Sequence, residues 1–295
     1  MINRQNLRRG SLPVLVVLVV VFLAGCAVKK GDLWGDPETG LILQYRMPVD
    51  QILKYHSSGE MNQNIEVMGQ SIDIEVNTKT AFSVKAKGLK EDNHQLGITI
   101  DSMSISIVSP EGDLSPDLSS VIGKSFDMTL SPLGKELELS GAESIQYDTP
   151  SEGKRSIASD FQAIFPNLAG RPVKIGDTWT STDTITEKSE SNEIQINKEN
   201  VHTLKGFETV DGMECVKITA EVTGTLQGAG EQQGMDFDIE GEMKGTDTWY
   251  FAYKEGIFVK MISTAVVEGL IEVGGPQGMS IPMTHDVKVE IKLTK

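Results

Sequence analysis

The sequence of 295 residues has few of the residues from which catalytic and metal-binding sites are usually built. It contains only two cysteines, four histidines and three tryptophans. No two histidines have the i, i+2 or i, i+4 spacing of a typical metal site, and no Gly-x-Ser-x-Gly element is present. We therefore expect a protein that is not an enzyme, with no catalytic residue, no bound metal and no cofactor.

Basic residues are also scarce. The chain has 27 lysines and arginines against 42 aspartates and glutamates, which gives a net charge of −15. A surface this acidic repels both nucleic acid and anionic lipid headgroups. Nucleic acid is therefore excluded as an expected partner.

A long apolar run is missing as well. The stretch from Leu12 to Ala24 spans 13 residues and includes Pro13, whereas a membrane-spanning helix needs about 20. It follows a basic start with Arg4, Arg8 and Arg9 and ends in small residues. This order is typical of a secretory signal that is removed from the mature protein.

The end of that segment, Leu23-Ala24-Gly25-Cys26, resembles the lipobox of bacterial lipoproteins. The resemblance implies cleavage between Gly25 and Cys26 and lipid attachment to Cys26. It predicts a membrane-anchored, extracytoplasmic protein, and Ala27 implies the outer membrane, facing the periplasm, if the cell has two membranes. An ordinary signal peptide with an incidental cysteine is the alternative. If Cys26 carries the lipid, Cys215 has no disulfide partner within the chain, and we expect it to be a buried thiol.

Apolar residues alternate with polar ones along most of the chain, which predicts β-strands. Around residues 96–107 the alternation changes phase, from Ile100 to Met103, as a β-bulge would require. Residues 126–139 contain two alternating segments around Ser131-Pro132-Leu133-Gly134-Lys135, so they predict a hairpin. The segments 123–139 and 245–261 have the same layout, which suggests an internal duplication.

Only residues 156–165 have helical spacing, and Pro166 would end that helix. The predicted fold is mostly β, with two similar antiparallel units, each a curved or half-barrel-like sheet, joined by a short helix. The sequence leaves open whether the two units form one continuous sheet or two domains. The predicted divisions are a signal peptide at 1–25, a tether at 26–40, a first β unit at 41–148, a helix and linker at 149–172, and a second β unit at 173–295.

Two short motifs have simpler explanations than a binding site. Gly123-Lys124-Ser125 lacks both the earlier glycine and the following helix of a phosphate-binding loop. The acidic residues between Asp236 and Asp247 have the spacing of a calcium loop, but their alternation with apolar residues predicts a strand.

Trp34 could lie at the membrane interface or pack on the fold, whereas Trp179 and Trp249 are expected in the core. The twelve methionines could be core filler or an adaptable apolar lining.

The lipobox, the duplicated hairpins and the segment from Phe165 to Trp179 resemble a loose group of uncharacterised bacterial envelope lipoproteins. A more distant resemblance is to periplasmic carriers of lipids and lipoproteins, which use a curved antiparallel sheet. The resemblance implies no particular activity. The anchor, the two β units and the missing catalytic residues predict a lipid-anchored, non-enzymatic envelope protein that binds an apolar ligand or acts as a scaffold. A protein–protein module of an envelope assembly is the alternative, and an uncharacterised enzyme is a less favoured third hypothesis. The expected partners are the membrane, through Cys26, and an apolar ligand or an envelope protein.

Overall fold

The computed structural model describes residues 34–110, 112–150, 152–232, 234–274 and 278–294. All the described residues belong to one compact unit, Asp32–Lys295. The expected signal segment, the cleavage point after Gly25 and the lipidation of Cys26 lie outside the described residues and stay predictions. None of the described residues belongs to a helix with the length and apolar character needed to cross a bilayer.

The described residues form strands almost throughout, with two 3₁₀ turns. The strands of the first half are β1 (Gly35–Asp36), β2 (Gly40–Leu41), β3 (Ile52–Val67), β4 (Gln70–Lys90), β5 (Asn93–Ser109), β6 (Gly112–Asp113), β7 (Ser125–Leu130), β8 (Glu136–Ser140), β9 (Gln146–Thr149) and β10 (Gly153–Ser156). Those of the second half are β11 (Thr178–Lys188), β12 (Asn192–Val210), β13 (Met213–Gln232), β14 (Met235–Ala252), β15 (Ile257–Val273) and β16 (Met279–Thr294). The 3₁₀ turns are Ala142–Ser144 and Ala158–Phe161.

One curled antiparallel sheet contains most of these strands. Its order is β11-β12-β13-β14-β15-β16-β3-β4-β5-β7-β8, and β6 pairs with β5 beside this path. The mostly β, curved-sheet prediction is therefore confirmed. The question that the sequence left open is also answered, because β16 of the second half pairs with β3 of the first half and makes the sheet continuous.

The local features predicted from the alternation are confirmed. Strand β7 pairs with β8 across the turn that contains Gly134. Opposite β4, the register passes from Ile100 to Ser102 and leaves Asp101 unpaired, which is the expected bulge. The bulge keeps both Ile100 and Met103 buried although they are three positions apart.

The short helix predicted at residues 156–165 is wrong. Ser156 ends strand β10, the helical part is the 3₁₀ turn Ala158–Phe161, and Gln162 is extended. The amides of Ala163, Ile164 and Phe165 donate instead to the Glu136 carboxylate, at 2.6, 2.9 and 3.3 Å. An α-helix would need these amides for its own hydrogen bonds, so the carboxylate of β8 favours an irregular segment here.

A large apolar cluster fills the interior at one end of the sheet, which we call the closed end. Two segments that do not belong to the large sheet, residues 41–47 and 157–169, supply much of it. Phe161 contacts the rings of Phe82 and Phe126, while the ring of Phe165 contacts Tyr45, among others. These two segments cover the inner face of the sheet, by which we mean the face that carries the buried side chains.

Two turn glycines allow residues 41–47 to run through the closed end. Gly134 has φ 89°, and a Cβ there would lie 2.3 Å from the carbonyl oxygen of Pro166. Gly256 has φ 74°, and its Cβ would lie 2.8 Å from the backbone nitrogen of Arg46. Because glycine tolerates positive φ and has no side chain, both hairpin turns pack directly against other backbone segments.

A second, smaller apolar cluster lies further along strands β13 to β16, and we call it the distal cluster. Glycines Gly241 and Gly269 face each other across β14 and β15, and a Cβ on either would meet the opposite backbone within 3.0 Å. Glycines at such positions permit sharp curvature of a sheet. The buried members of the distal cluster are Ala220, Val222, Leu226, Met243, Val267 and Met283.

The same inner face continues on β3, β4 and β5 with apolar side chains that belong to neither cluster. Met61, Val76 and Ile107 are direct cross-strand neighbours there. Each is only half-buried, whereas Phe82 and Val84 of β4 are buried at the closed end. We call this surface the open stripe, and its members are Met61, Val67, Ile72, Ile74, Val76 and Ile107.

Candidate functional site: a polar layer between two apolar clusters

Polar side chains point inward on β11, β12 and β14, between the large cluster of the closed end and the distal cluster. Such an arrangement is uncommon, because burying polar groups costs free energy unless they are hydrogen-bonded. The β11–β12 register aligns Ser181 with Asn200 and Asp183 with Lys198 on the inner face. We call this set the polar layer, and its members are Ser181, Asp183, Lys198, Asn200, His202 and Asp247.

Asp183 is the best-connected carboxylate of the layer. It accepts hydrogen bonds from the side-chain amides of Asn167 and Asn200, both at 2.9 Å. The ammonium group of Lys135 lies 3.6 Å from it. Because Asn167 lies in the linker and Lys135 in the β7–β8 turn, Asp183 connects three separate parts of the chain.

His202 and Ser181 form the second connection. The Ser181 hydroxyl and His202 Nε2 are 2.8 Å apart, and the Asn200 side-chain amide donates to the same hydroxyl at 3.3 Å. The imidazole ring stacks on Trp179 at 5.2 Å and meets Trp249 edge-on at 5.7 Å. Burial lowers the pKa of His202 to about 4, so the ring is neutral at physiological pH.

Asp247 lies on β14 within the same layer. Its burial raises its pKa, while a hydrogen bond from Ser263 and the positive charge of Lys198 act in the opposite direction. The layer therefore holds two carboxylates and one ammonium group, all three only partly exposed, so solvent screens their charges less than it would on an open surface.

The serine–histidine pair does not have the properties of an activated nucleophile. A general base works best with a pKa near the working pH, and the lowered pKa of His202 makes it a weak base. Its Nδ1 has no hydrogen-bond partner among the described residues, whereas a catalytic histidine is usually oriented there by a carboxylate. What the layer offers chemically is hydrogen bonding within an apolar interior.

The two edge strands of the sheet approach each other beside this layer. The Lys135 ammonium donates to the carbonyl of Thr182 at 2.8 Å, and Gln162 accepts from the amide of Thr186 at 2.6 Å. Between these two strands, burial raises the pKa of Glu136 to about 8, although the three backbone amides that donate to its carboxylate lower it. The linker therefore occupies the gap between β8 and β11.

Other residues singled out in the sequence do not join this site. Asp236, Asp238 and Glu240 are exposed on the outer face of β14, whereas Asp247 points inward, so the calcium-like spacing does not converge. Within the described ranges, no group of three histidine, cysteine or acidic side chains is arranged to hold a metal ion.

Cys215 is a buried thiol, and its burial raises its pKa to about 11. Trp34 packs on the large cluster rather than standing apart from the fold.

Sequence reasoning missed the polar layer. The inward residues of β11 alternate with threonines, so the strand has no apolar face from which its orientation could be read. The inward positions of β12 change from apolar side chains to polar ones, and this change was the signal available in the sequence. The apolar positions are Ile194 and Ile196, and the polar ones are Lys198, Asn200 and His202. Only the register with β11 and β13 shows that Asn200 and His202 become buried.

Comparisons with known proteins identify no family for this chain. No protein-family model matches it, and the search of curated proteins found no match. A DUF1329 family protein from Desulfovibrio piger is 15% identical, with a TM-score of 0.17, over 79% of this chain and 83% of that chain. OpdQ from Pseudomonas aeruginosa is 6% identical, with a TM-score of 0.19, over 82% of this chain and 97% of that chain.

A COG4313 outer membrane channel from Pseudomonas putida is also 6% identical, with a TM-score of 0.20, over 85% of this chain and 97% of that chain. At these TM-scores the backbones do not superpose as one fold. Likenesses this weak indicate neither a location nor an activity for this chain.

Proposed function

We propose that this chain is a lipid-anchored, non-enzymatic protein of the bacterial envelope that binds an apolar ligand along the inner face of its curled sheet. The observation that carries the proposal is the open stripe. It continues the inner face beyond the covered closed end, and its apolar side chains remain partly exposed. Concave, mostly apolar surfaces with a few polar groups are typical of small-molecule sites.

The proposed anchor supports this location. The lipobox-like Leu23-Ala24-Gly25-Cys26 would place the protein on a membrane surface, where apolar ligands are concentrated. Intact-mass measurement of the protein isolated from membranes tests the anchor. A chain that begins at Met1 without an added lipid would contradict it.

Ligand binding can be tested on the unit Asp32–Lys295, because it is compact by itself. Native mass spectrometry and solvent extraction should find a lipid bound to the purified unit, and the fluorescence of N-phenyl-1-naphthylamine should rise on binding. If no lipid is extracted and the probe does not bind, the binding function is wrong.

A matched pair of variants on β4 tests the position of the ligand. Val76→Asn places an amide between Met61 and Ile107, and we expect it to weaken probe binding about tenfold because apolar contact is lost. Glu75→Asn changes the neighbouring residue on the outer face and should leave binding unchanged. Equal effects of the two variants would place the ligand elsewhere.

The alternative function, a protein–protein module that pairs through exposed sheet edges, has less support. Exposed edges are the usual sites of such pairing. Here Lys135 and Gln162 already bind the edge strand β11, and the linker lies between β11 and β8. Enrichment of one envelope protein with the intact chain, and stronger enrichment with a Lys135→Ala variant that frees the Thr182 carbonyl of β11, would favour the alternative.

A further inference from the structure

Three pairs of carboxylates oppose each other on the outer face of β13, β14 and β15. The strand register places the two members of each pair directly across from one another, and all six side chains are exposed. Directly opposed side chains in antiparallel strands have Cβ atoms about 5 Å apart, so like charges there destabilise a sheet. We call this surface the acidic patch, and its pairs are Glu231 with Asp236, Asp238 with Glu272, and Glu242 with Glu268.

Basic side chains do not neutralise the acidic patch. Residues 222–242 and 265–286 contain no lysine or arginine. Lys244 on β14 and Lys288 on β16 lie at the border of the patch. In the part of the chain that the structure describes, no lysine or arginine forms an ion pair with any of the six carboxylates. The fold itself therefore does not compensate the repulsion within the patch.

The same strands carry paired charges nearer the closed end. The Lys217 ammonium of β13 lies 2.8 Å from the Glu208 carboxylate of β12. The Lys260 ammonium of β15 lies 2.9 Å from the Glu290 carboxylate of β16. These strands can therefore pair their carboxylates with lysines, and the acidic patch departs from that arrangement. A surface that keeps like charges together in this way is complementary to a cationic partner.

Apolar side chains lie among these carboxylates. The outward positions of β15 alternate between the two kinds, in the order Val266, Glu268, Leu270 and Glu272. Val266 is 40% exposed, and Leu270 lies opposite the exposed Pro282 of β16. Protein interfaces typically combine apolar contacts with charged groups around them. This part of the outer face therefore offers apolar contact and negative charge at the same place.

The charge of the patch limits what can cover it. The same patch of a second copy, nucleic acid or an anionic membrane would each add negative charge, and like charges repel. A single metal ion lacks suitable ligands, because no group of three histidine, cysteine or acidic side chains among the described residues is arranged to hold one. A polypeptide with both basic and apolar side chains matches the charge and the apolar positions.

We propose that the acidic patch is the docking surface for a partner protein, which binds through a segment of lysine or arginine residues interspersed with apolar ones. The cationic side chains of the partner lie between the opposed carboxylates and offset their repulsion, and the apolar ones contact Val266 and Leu270. This surface is a sheet face and not a sheet edge, and it lies on the opposite side of the sheet from the proposed apolar ligand. The inference goes beyond the proposed function and does not depend on it.

Three synthetic peptides of equal length test the chemistry of the partner. The first contains lysine and leucine, the second lysine and serine, and the third glutamate and leucine, with the charged positions in the same order. Fluorescence anisotropy at low salt measures their affinities for the unit Asp32–Lys295. We expect the lysine–leucine peptide to bind about tenfold more tightly than the lysine–serine peptide, and the glutamate–leucine peptide not to bind. Equal binding of the two lysine peptides would mean that net charge alone attracts them, which would overturn the proposal.

A matched pair of variants tests the position of the docking surface. Asp238→Asn removes one member of an opposed pair, whereas Asp92→Asn removes an exposed charge in the β4–β5 turn beyond the closed end. Asp238→Asn should weaken binding of the lysine–leucine peptide about threefold, and its combination with Glu242→Gln about tenfold, while Asp92→Asn should leave binding unchanged. Equal weakening by the two single variants would overturn the proposal.

The stability of the variants separates docking from a structural role. Because Asp238→Asn and Glu242→Gln relieve repulsion, each should raise the unfolding temperature by about 1–2 °C. A carboxylate that the fold requires would give a lower unfolding temperature when it is neutralised, and that result would overturn the proposal.

Competition with N-phenyl-1-naphthylamine separates the docking surface from the inner face. The lysine–leucine peptide should not displace this probe, because the two occupy opposite sides of the sheet. Displacement would place the peptide on the inner face and overturn the docking surface. Failure of the probe to bind at all would overturn the proposed function, and the peptide affinities of the variants would still decide the docking surface.

Discussion

The two ends of strand β4 differ although their sequences alternate in the same way. At the closed end, Phe82 and Val84 are buried, whereas Ile72, Ile74 and Val76 at the other end are half-exposed. The difference comes from residues 41–47 and 157–169, which cover the first set and do not cover the second. An apolar strand face therefore shows which side points inward, and the segments that cross the interior decide whether that side is covered.

The largest effect is expected from truncating the aromatic contacts of the closed end. Phe161 is 1% exposed and contacts Phe82 and Phe126. Phe161→Ala should lower the free energy of unfolding by about 3–5 kcal/mol, because it leaves a cavity. Ile74→Ala in the open stripe should cost only about 1 kcal/mol. Urea denaturation of both variants measures the difference, and equal losses would mean that the open stripe is covered as well as the closed end.

A backbone clash at the closed end should have the next largest effect. Gly134→Ala combines a φ of 89° with a Cβ 2.3 Å from the Pro166 carbonyl oxygen, and we expect a loss of roughly 2–4 kcal/mol. Gly69 in the β3–β4 turn has a similar φ of 77°, but a Cβ there meets no atom within 4 Å. Gly69→Ala should therefore cost about 1 kcal/mol. Denaturation midpoints of the two variants give the comparison, which fails if Gly69→Ala costs as much.

The polar layer predicts a dependence of stability on pH. The pKa of His202 is lowered to about 4 in the folded chain, whereas an unfolded histidine titrates near 6.5. Between these values only the unfolded state takes up the proton, so stability is full above about pH 6.5 and falls as the pH drops toward 4. The loss should reach roughly 2–3 kcal/mol.

Matched histidine variants isolate this contribution. His202→Gln should remove its part of the pH dependence between 4 and 6.5, and His56→Gln should leave it unchanged. Other titrating groups, such as Asp160, whose pKa burial raises to about 6, contribute equally to all three proteins and cancel in the difference. Parallel curves for the native and His202→Gln proteins would mean that His202 is accessible to protons.

The smallest effects concern two ion pairs near the tip of the β11–β12 hairpin, one to Arg155 of β10 and one within the hairpin. Glu187 points inward and lies 2.7 Å from Arg155, and the two side chains are 35% and 22% exposed. Lys188 and Glu193 form an outer pair at 3.0 Å, and both of their side chains are more than half exposed. Glu187→Gln should cost roughly 1–2 kcal/mol because the Arg155 charge loses its closest partner. Glu193→Gln should cost less than about 0.5 kcal/mol. Thermal unfolding at two salt concentrations compares them, and a larger loss for Glu193→Gln would contradict the assigned faces.

Much of the fold follows from local patterns in the sequence. The alternation predicted the strands, the phase change between Ile100 and Met103 predicted the bulge, and the proline and glycine of residues 131–135 predicted the hairpin. Each of these depends on side chains a few positions apart, so the local sequence contains the information. The internal duplication stays a prediction, although the hairpins β7–β8 and β14–β15 have the predicted layout.

The helix and the candidate site could not be predicted in this way. Residues 156–165 have helical spacing, but the Glu136 carboxylate is more than 25 positions away in the sequence and binds three of the amides. Similarly, nothing near Asn200 in the sequence shows that Asp183 and Ser181 will lie beside it. Such pairs depend on which strands become neighbours.

The sequence by itself determined the strand-forming pattern, the turn positions, the acidic charge and the lipobox-like segment, since each depends on residue type and close spacing. Only the tertiary structure decided that β16 pairs with β3, that the linker fills the gap between the edge strands, and that Asn200 and His202 of the polar layer are buried while the open stripe is not. These outcomes depend on contacts between distant residues, and the free energy of burial is set by what covers a side chain rather than by the side chain alone.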